Sequence, residues 1–316
     1  MNIEYDGSKI STPGVYNNVP IEKYHSQITT GPSISSSGIR RILQSPALYW
    51  MYSDLNPNRV EEESSEALIL GQAAHHLLLG EAGFREKFTI RPEELYGEKW
   101  NGNRKDCKAW LKDQAEAGLI VLTPAQIETI KGLAGIQPWQ KDMPYCGLRN
   151  HPLVQRGILN GEIEKSMFWK DGRTWLKARP DAIPADGNDV VDLKTTTSVD
   201  THDVSRTIFD RGYHVQAAMI GMGMKSAAGR KMDSFSLIWV DKTAPHEVSI
   251  RHLSDEDIIL GERAIEIGVR LFERCLLEGR WPGAPQREPD ISRISLPQWG
   301  RDNQSRQLDE IERILG

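Results

Sequence analysis

At 316 residues, 39% of them hydrophobic and 26% charged, the chain is long enough to bury a substantial core and too apolar for disorder. A formal net charge of −5 excludes a whole-molecule cationic field, so any nucleic acid must meet a local basic surface. Three widely spaced cysteines, Cys107, Cys146 and Cys275, exclude a disulfide framework, a zinc ribbon and a four-thiolate iron–sulfur cluster within the chain. No apolar run reaches membrane-spanning length and the opening MNIEYDGSKIS has no signal pattern, so a soluble cytoplasmic protein without membrane contact is expected.

In chain order, the first thirty residues are rich in Gly, Pro, Ser, Thr and Asn and read as an extended arm with little core of its own. In SISSSGIRRILQSPALYWMY, Ser36 or Ser37 caps a helix whose apolar stripe is Ile39, Ile42 and Leu43, and Pro46 marks a break before an aromatic turn. SSEALILGQAAHHLLL, from Ser64 to Leu79, predicts a second, more apolar helix. Residues 84–120 give no firm placement. A helix begins at Thr123 with Pro124 in its first position and runs to about Ala134.

The middle of the chain changes to strand composition. GEIEKSMFWKDGRTWLKARPDAI turns at Asp171-Gly172, and a second turn at 185–188 leads into VVDLKT, which together predict a three-stranded antiparallel meander. A helix from about Asp203 to Met224 follows, then a strand pair, Phe235–Val240 and Glu247–Arg251. Ser254 caps a long amphipathic helix through Ile265 and Phe272 that ends at Gly279. The remainder is polar, with a short helix expected at Leu308–Leu315. The expected organisation is an arm over 1–30, one α/β domain over 31–283 with a mixed central sheet flanked by helices, and a polar tail over 284–316.

Candidate chemistry concentrates in RPDAIPADGNDVVDLKTTTS. Side chains alternate along a strand, so Asp192 and Lys194 share one face while Val191 and Leu193 share the other. The turn brings Asp181 close to Asp192. Two adjacent carboxylates repel unless a cation relieves them, and a hard divalent ion such as Mg²⁺ suits oxygen donors. Such an ion lowers the pKa of an attacking water and neutralises charge in phosphodiester hydrolysis. Lys194 would hold or deprotonate that water, or stabilise developing charge.

Pro180-Asp181 followed by Asp192-Leu193-Lys194 resembles the signature of the PD-(D/E)xK nuclease superfamily. GQAAH, Gly71 to His75, inside a helix ahead of those strands, is similar to the RecB-type and RecE-type exonuclease branch. YHVQAAMIG, Tyr213 to Gly221, is similar to that branch's glutamine-bearing helix, with Tyr213 three residues before Gln216 on roughly one side. SISSSGIRRILQSPALYWMY and EGRWPG also resemble the RecE-type domain, so the likeness spans about Gly14 to Gly283.

The resemblance implies a restriction-endonuclease-like PD-(D/E)xK core. It implies one or two Mg²⁺ ions, with Mn²⁺ a possible substitute, held by His75, Asp181, Asp192 and the backbone carbonyl of Leu193. Lys194 would be catalytic. Gln216 would orient DNA or the lysine, or be a surface amide, and Glu164 would be an acid beside the site or a solvated strand end. Ser37, Arg40 and Arg41 at a helix N-terminus suit a 5′ phosphate, with Tyr213 a further DNA contact. The implied activity is 5′→3′ digestion of one strand at double-stranded DNA ends, leaving 3′ overhangs for a single-strand annealing protein. The implied form is a homo-oligomeric ring, trimer or tetramer, encoded by a phage or prophage and acting in a bacterial cytoplasm. The alternatives are a structure-specific or restriction-like endonuclease on the same core, and an inactive DNA-binding subunit.

Overall fold

The protein is described from a computed structural model covering residues 2–62, 65–80, 83–163, 165–184, 187–283 and 295–315. It falls into two compact units, 1–283 and 284–316, each described by itself.

The first unit is built on two five-stranded sheets. One is mixed, running Val248–His252, Ser234–Asp241, Asp189–Thr196, Ala182–Pro184 and Gly161–Ile163. Its central pair, Asp189–Thr196 and Ser234–Asp241, is parallel, and the other pairings are antiparallel. The central strands are buried on both faces. Val190, Phe235, Leu237 and Trp239 enter one core, and Val191, Leu193, Ile238 and Val240 enter another. That is the environment in which a parallel pair is stable. On the first core lie the helices Ser36–Gln44, Tyr213–Gly223 and Asp255–Glu278. On the second lie Glu66–Leu78 and Pro124–Ala134.

The second sheet carries the hairpin Ser166–Asp171/Thr174–Ala178, so the expected meander is divided between two sheets. The physical reason is Pro180. Arg179-Pro180-Asp181 crosses from one sheet to the other, and the register that pairs Ala182 with Val191 would set Pro180 opposite Leu193. Proline has no N–H to continue a ladder. The Leu193 N–H instead donates to the Asp181 carboxylate at 2.5 Å.

The N-terminal residues are not a bare arm. Asn2–Glu4 and Gly14–Asn17 extend the hairpin sheet, and Ser33–Ser35 pairs in parallel with its far edge. Ile10, Tyr16, Val19, Tyr24 and Ile28 build a third core against Phe168 and Trp175. Lys177 shares that strand face and is almost fully buried. Its ammonium donates to the carbonyls of Tyr24 (2.7 Å), Ser26 (2.8 Å) and His25 (3.3 Å). Burial pushes its pKa down to about 7, and the three carbonyl acceptors oppose that push.

Three helix expectations are corrected. The segment from Asp203 to Met224 is two helices, Thr201–Arg211 and Tyr213–Gly223, broken at Gly212, which sits at φ 63°. That left-handed backbone favours glycine. Ser35, rather than Ser36 or Ser37, is the N-cap of Ser36–Gln44. Pro124–Ala134 does carry its Thr123–Gln126 capping box, and Asp255–Glu278 its Ser254 cap and Gly279 stop. The unplaced stretch holds a parallel pair, Phe88–Ile90 and Ile120–Leu122, and the helix Lys105–Glu116. In the second unit one helix, Gln298–Leu315, exceeds the short helix expected there.

The first unit is closed by an aromatic clasp. Trp281 stacks on Trp50 (centroids 4.7 Å apart, 12° between planes) and on Tyr49 (5.5 Å, 28°), while the Ala47 N–H donates to the Pro282 carbonyl at 2.9 Å. Trp281→Ala is therefore expected to lower unfolding free energy by roughly 2–3 kcal/mol, below the range for a fully buried aromatic. Urea denaturation of the wild type and the variant checks this.

Candidate active site

Strand parity sets the site. Asp192 and Lys194 fall on the face of Val190, and Asp192 is completely buried (0% exposed). The Lys194 ammonium forms an ion pair with Asp192 Oδ2 and lies 4.8 Å from the centroid of the Tyr213 ring, which tilts against Trp239. Gln216 Nε2 donates to the other oxygen, Asp192 Oδ1, at 2.7 Å. Asp181 (6% exposed) carries the second carboxylate; besides the Leu193 N–H, its Oδ2 meets His75 Nε2 at 2.8 Å. Seven of the residues singled out in the sequence therefore converge: His75, Asp181, Asp192, Leu193, Lys194, Tyr213 and Gln216.

Each side chain is aimed by its element. Ser65 caps the histidine helix through the Leu68 N–H (3.2 Å), and Ala73 and Ala74 seat it in the second core. His76, one residue on, lies buried against the rings of Phe84 and Phe88. The glutamine helix starts afresh at Gly212, whose carbonyl accepts the Val215 (3.1 Å) and Gln216 (3.3 Å) N–H groups. One turn then places Tyr213 under the lysine and Gln216 on Asp192.

The two carboxylates titrate apart. Burial and the charge of Asp181 push Asp192 up to about 6, against the pull of Lys194. Burial also raises Asp181, but the His75 ring, Lys194 and the Leu193 N–H outweigh it and hold that carboxyl below its ordinary value. Burial disfavours the Lys194 ammonium, yet Asp192 and Asp181 more than compensate, so its pKa lies above the usual lysine value.

A cavity of about 640 Å³ opens on this cluster, lined by His75, Asp181, Tyr213 and Gln216. Ser37 and Arg40 line it too. Arg41 does not. It ion-pairs with Glu62 at 2.5 Å and lies over Tyr52. Glu164 lies outside the described residues. Lining residues that sequence reasoning missed include Lys87, Arg179 and Arg211, which with Arg40 set four basic side chains against Glu22 and Asp181. Gln72 was also missed, although its place three residues before His75 put both on one helix face.

Among the described residues, no three His, Cys, Asp or Glu side chains form a group able to hold a metal ion. Magnesium is commonly bound by one or two carboxylates with waters and substrate phosphate rather than by a complete protein cage. The two buried carboxylates, one with its pKa raised by the other, fit that requirement. Asp181 and Asp192 are the donors such an ion would take.

Residues 140–287 match the sequence profile of a family described as a PDDEXK-like domain of unknown function, DUF3799. That span holds Asp181, Asp192, Lys194 and Gln216. A solved structure of a candidate exonuclease from Eubacterium rectale is similar at a TM-score of 0.53 and 14% identity, covering 90% of this chain and 98% of that one. A phage-related exonuclease from Haemophilus somnus 129PT matches more weakly, at a TM-score of 0.33 and 11% identity, over 79% of this chain and 97% of that one. No curated protein matches. The fold is thus the α/β, restriction-endonuclease-like PD-(D/E)xK core, with mixed sheets flanked by helices. No described helix is long and apolar enough to cross a membrane.

The raised pKa of Asp192 has a defined sign. Its contribution favours the fold below the unfolded value near ~4 and is lost as pH rises through about 6. In metal-free protein, the Asp192 carboxyl carbon is expected to titrate near pH 6 by NMR. Lys194→Met should move that midpoint upward, because the opposing cation is gone. An Asp192 midpoint at the ordinary aspartate value would contradict the assignment.

Proposed function

We propose that the protein is a divalent-cation-dependent exodeoxyribonuclease that digests one strand of linear double-stranded DNA in the 5′→3′ direction. The observation that carries this reading is a cavity with basic walls lined by Asp181, Tyr213 and Gln216, the last two in contact with Lys194 and Asp192 behind them. A phosphodiester backbone is the substrate whose charge suits those walls and whose hydrolysis suits that cluster.

Magnesium, or manganese in its place, as one or two ions, would be held by Asp181, Asp192 and the Leu193 carbonyl, with waters and substrate phosphate completing the shell and His75 holding Asp181. When bound, it supplies charge neutralisation at the phosphate and a more acidic attacking water. Lys194 would orient the attacking water, take its proton or stabilise developing charge. Gln216 fixes the Asp192 carboxylate, and the face of Tyr213 supports the ammonium. Ser37 and the basic cavity wall would hold a phosphate of the digested strand. The resulting 3′ overhangs would pass to a single-strand annealing protein. A homo-oligomeric ring, trimer or tetramer, would let an acidic chain retain DNA by topology. A phage or prophage origin and the bacterial cytoplasm fit such a role.

Lys194→Ala is expected to lower hydrolysis of a 5′-phosphorylated linear duplex by about 10³-fold or more, with DNA affinity measured without metal little changed. Full activity in that variant would overturn the role of Lys194. The wild type should leave a covalently closed circle whole and prefer 5′-phosphate over 5′-hydroxyl ends. Cleavage of the circle would favour an endonuclease, and no cleavage of any duplex in Mg²⁺ or Mn²⁺ would favour an inactive DNA-binding subunit.

A further inference from the structure

Arg40 is placed unusually for a residue whose task is to meet a phosphate. Its side chain crosses the backbone at the break between Thr201–Arg211 and Tyr213–Gly223. A Cβ on Gly212 would stand 2.2 Å from Arg40 Cδ and 3.0 Å from Cγ, so the stem lies directly on the glycine. Arg40 Nη1 donates to the carbonyl of Arg211, the last residue of the preceding helix. Such a carbonyl has no partner within its own helix, and a cation is favoured there. Gly212 meets two demands at once: it turns the backbone at φ 63° and leaves room for the stem.

The Gly212 carbonyl accepts the backbone N–H of Gln216, whose amide holds Asp192, and Tyr213, which lies beneath Lys194, follows the break directly. Arg40 stands on Ser36–Gln44, whose Ile39 packs against Gly268 of Asp255–Glu278. A residue on a helix anchored in the core thus grips the start of the helix that carries two of the side chains in the charge cluster.

We propose that Arg40 is a positioning residue. By lying across Gly212 and holding the Arg211 carbonyl, it sets where the Tyr213–Gly223 helix begins, and so places Gln216 on Asp192 and Tyr213 beneath Lys194. This rests on the nuclease reading for its kinetic consequence but not for its structural one.

The test uses the full chain and three variants. Arg40→Met keeps the stem and removes the donor, Arg40→Lys keeps a cation at shorter reach, and Gly212→Ala drives a methyl into the stem. The first readout is the Gln216 side-chain amide in ¹⁵N NMR, assigned with Gln216→Glu. In the wild type its bond to buried Asp192 should protect it from hydrogen exchange. Arg40→Met and Gly212→Ala should each lose that protection while keeping most of the folded spectrum, and Arg40→Lys should retain part of it. The second readout is kinetic. Arg40→Met and Gly212→Ala should lower kcat by roughly tenfold to a hundredfold with little change in KM, and the double variant should be no worse than the weaker single one. Protection unchanged in both variants would overturn the positioning role. So would a rise in KM alone for Arg40→Met with additive effects in the double variant, which would leave Arg40 a phosphate contact. A wild type that cleaves no DNA would remove the nuclease reading, while the exchange measurement would still decide the role of Arg40.

Discussion

Two carboxylates buried beside one another repel strongly, and the first unit is organised around relieving that repulsion. Asp192 is wholly inside the protein and Asp181 nearly so. Isolated charges in such surroundings would lose hydration worth several kcal/mol each and would neutralise instead. Here they are met by the Lys194 ammonium, the Gln216 amide, the Leu193 N–H and the His75 ring, from three different elements of the chain. The compensation is incomplete, since Asp192 still sits near 6.

The architecture supplies rigidity where the cluster needs it. The Asp189–Thr196 strand is held on both faces by separate cores and pairs along its whole length with Ser234–Asp241, so Asp192 and Lys194 stand on a well-supported strand. The crossing at Pro180 then turns a weakness into a contact. Where the ladder cannot continue, a side chain from the crossing takes the free N–H and fixes Asp181 against the strand. The N-terminal segment, pinned by Lys177, brings Glu22, Tyr24 and His25 to the cavity wall.

The cluster was legible in the sequence because it follows from period. Alternation put Asp192 and Lys194 together, and one helical turn related Tyr213 to Gln216. Capping chemistry likewise announced Thr123, Ser254 and Gly279. What escaped were features made by distant packing. The third core draws on Ile10, Tyr16, Val19, Tyr24 and Ile28, whose spacing has neither period, and their common surface is the far face of a hairpin more than a hundred residues away. The division of the meander hinges on one proline whose partner strand could not be known. In sequence Gly212 reads as an interior helix glycine; in the structure it ends one helix and Arg40 lies across it. Arg40 and Arg41 are neighbours in sequence yet point to different cavities, because adjacent helix positions diverge by about 100°.

The central claim is that this cluster hydrolyses phosphodiesters by attack of water at phosphorus with departure of the 3′ oxygen. Digestion of a linear duplex in H₂¹⁸O with Mg²⁺, followed by mass spectrometry of the products, tests it most directly. The account predicts 5′-mononucleotides with a single ¹⁸O on the phosphate from the wild type, and none from Asp192→Asn. Products ending in 3′ phosphate, or equal yields from the two proteins, would contradict it.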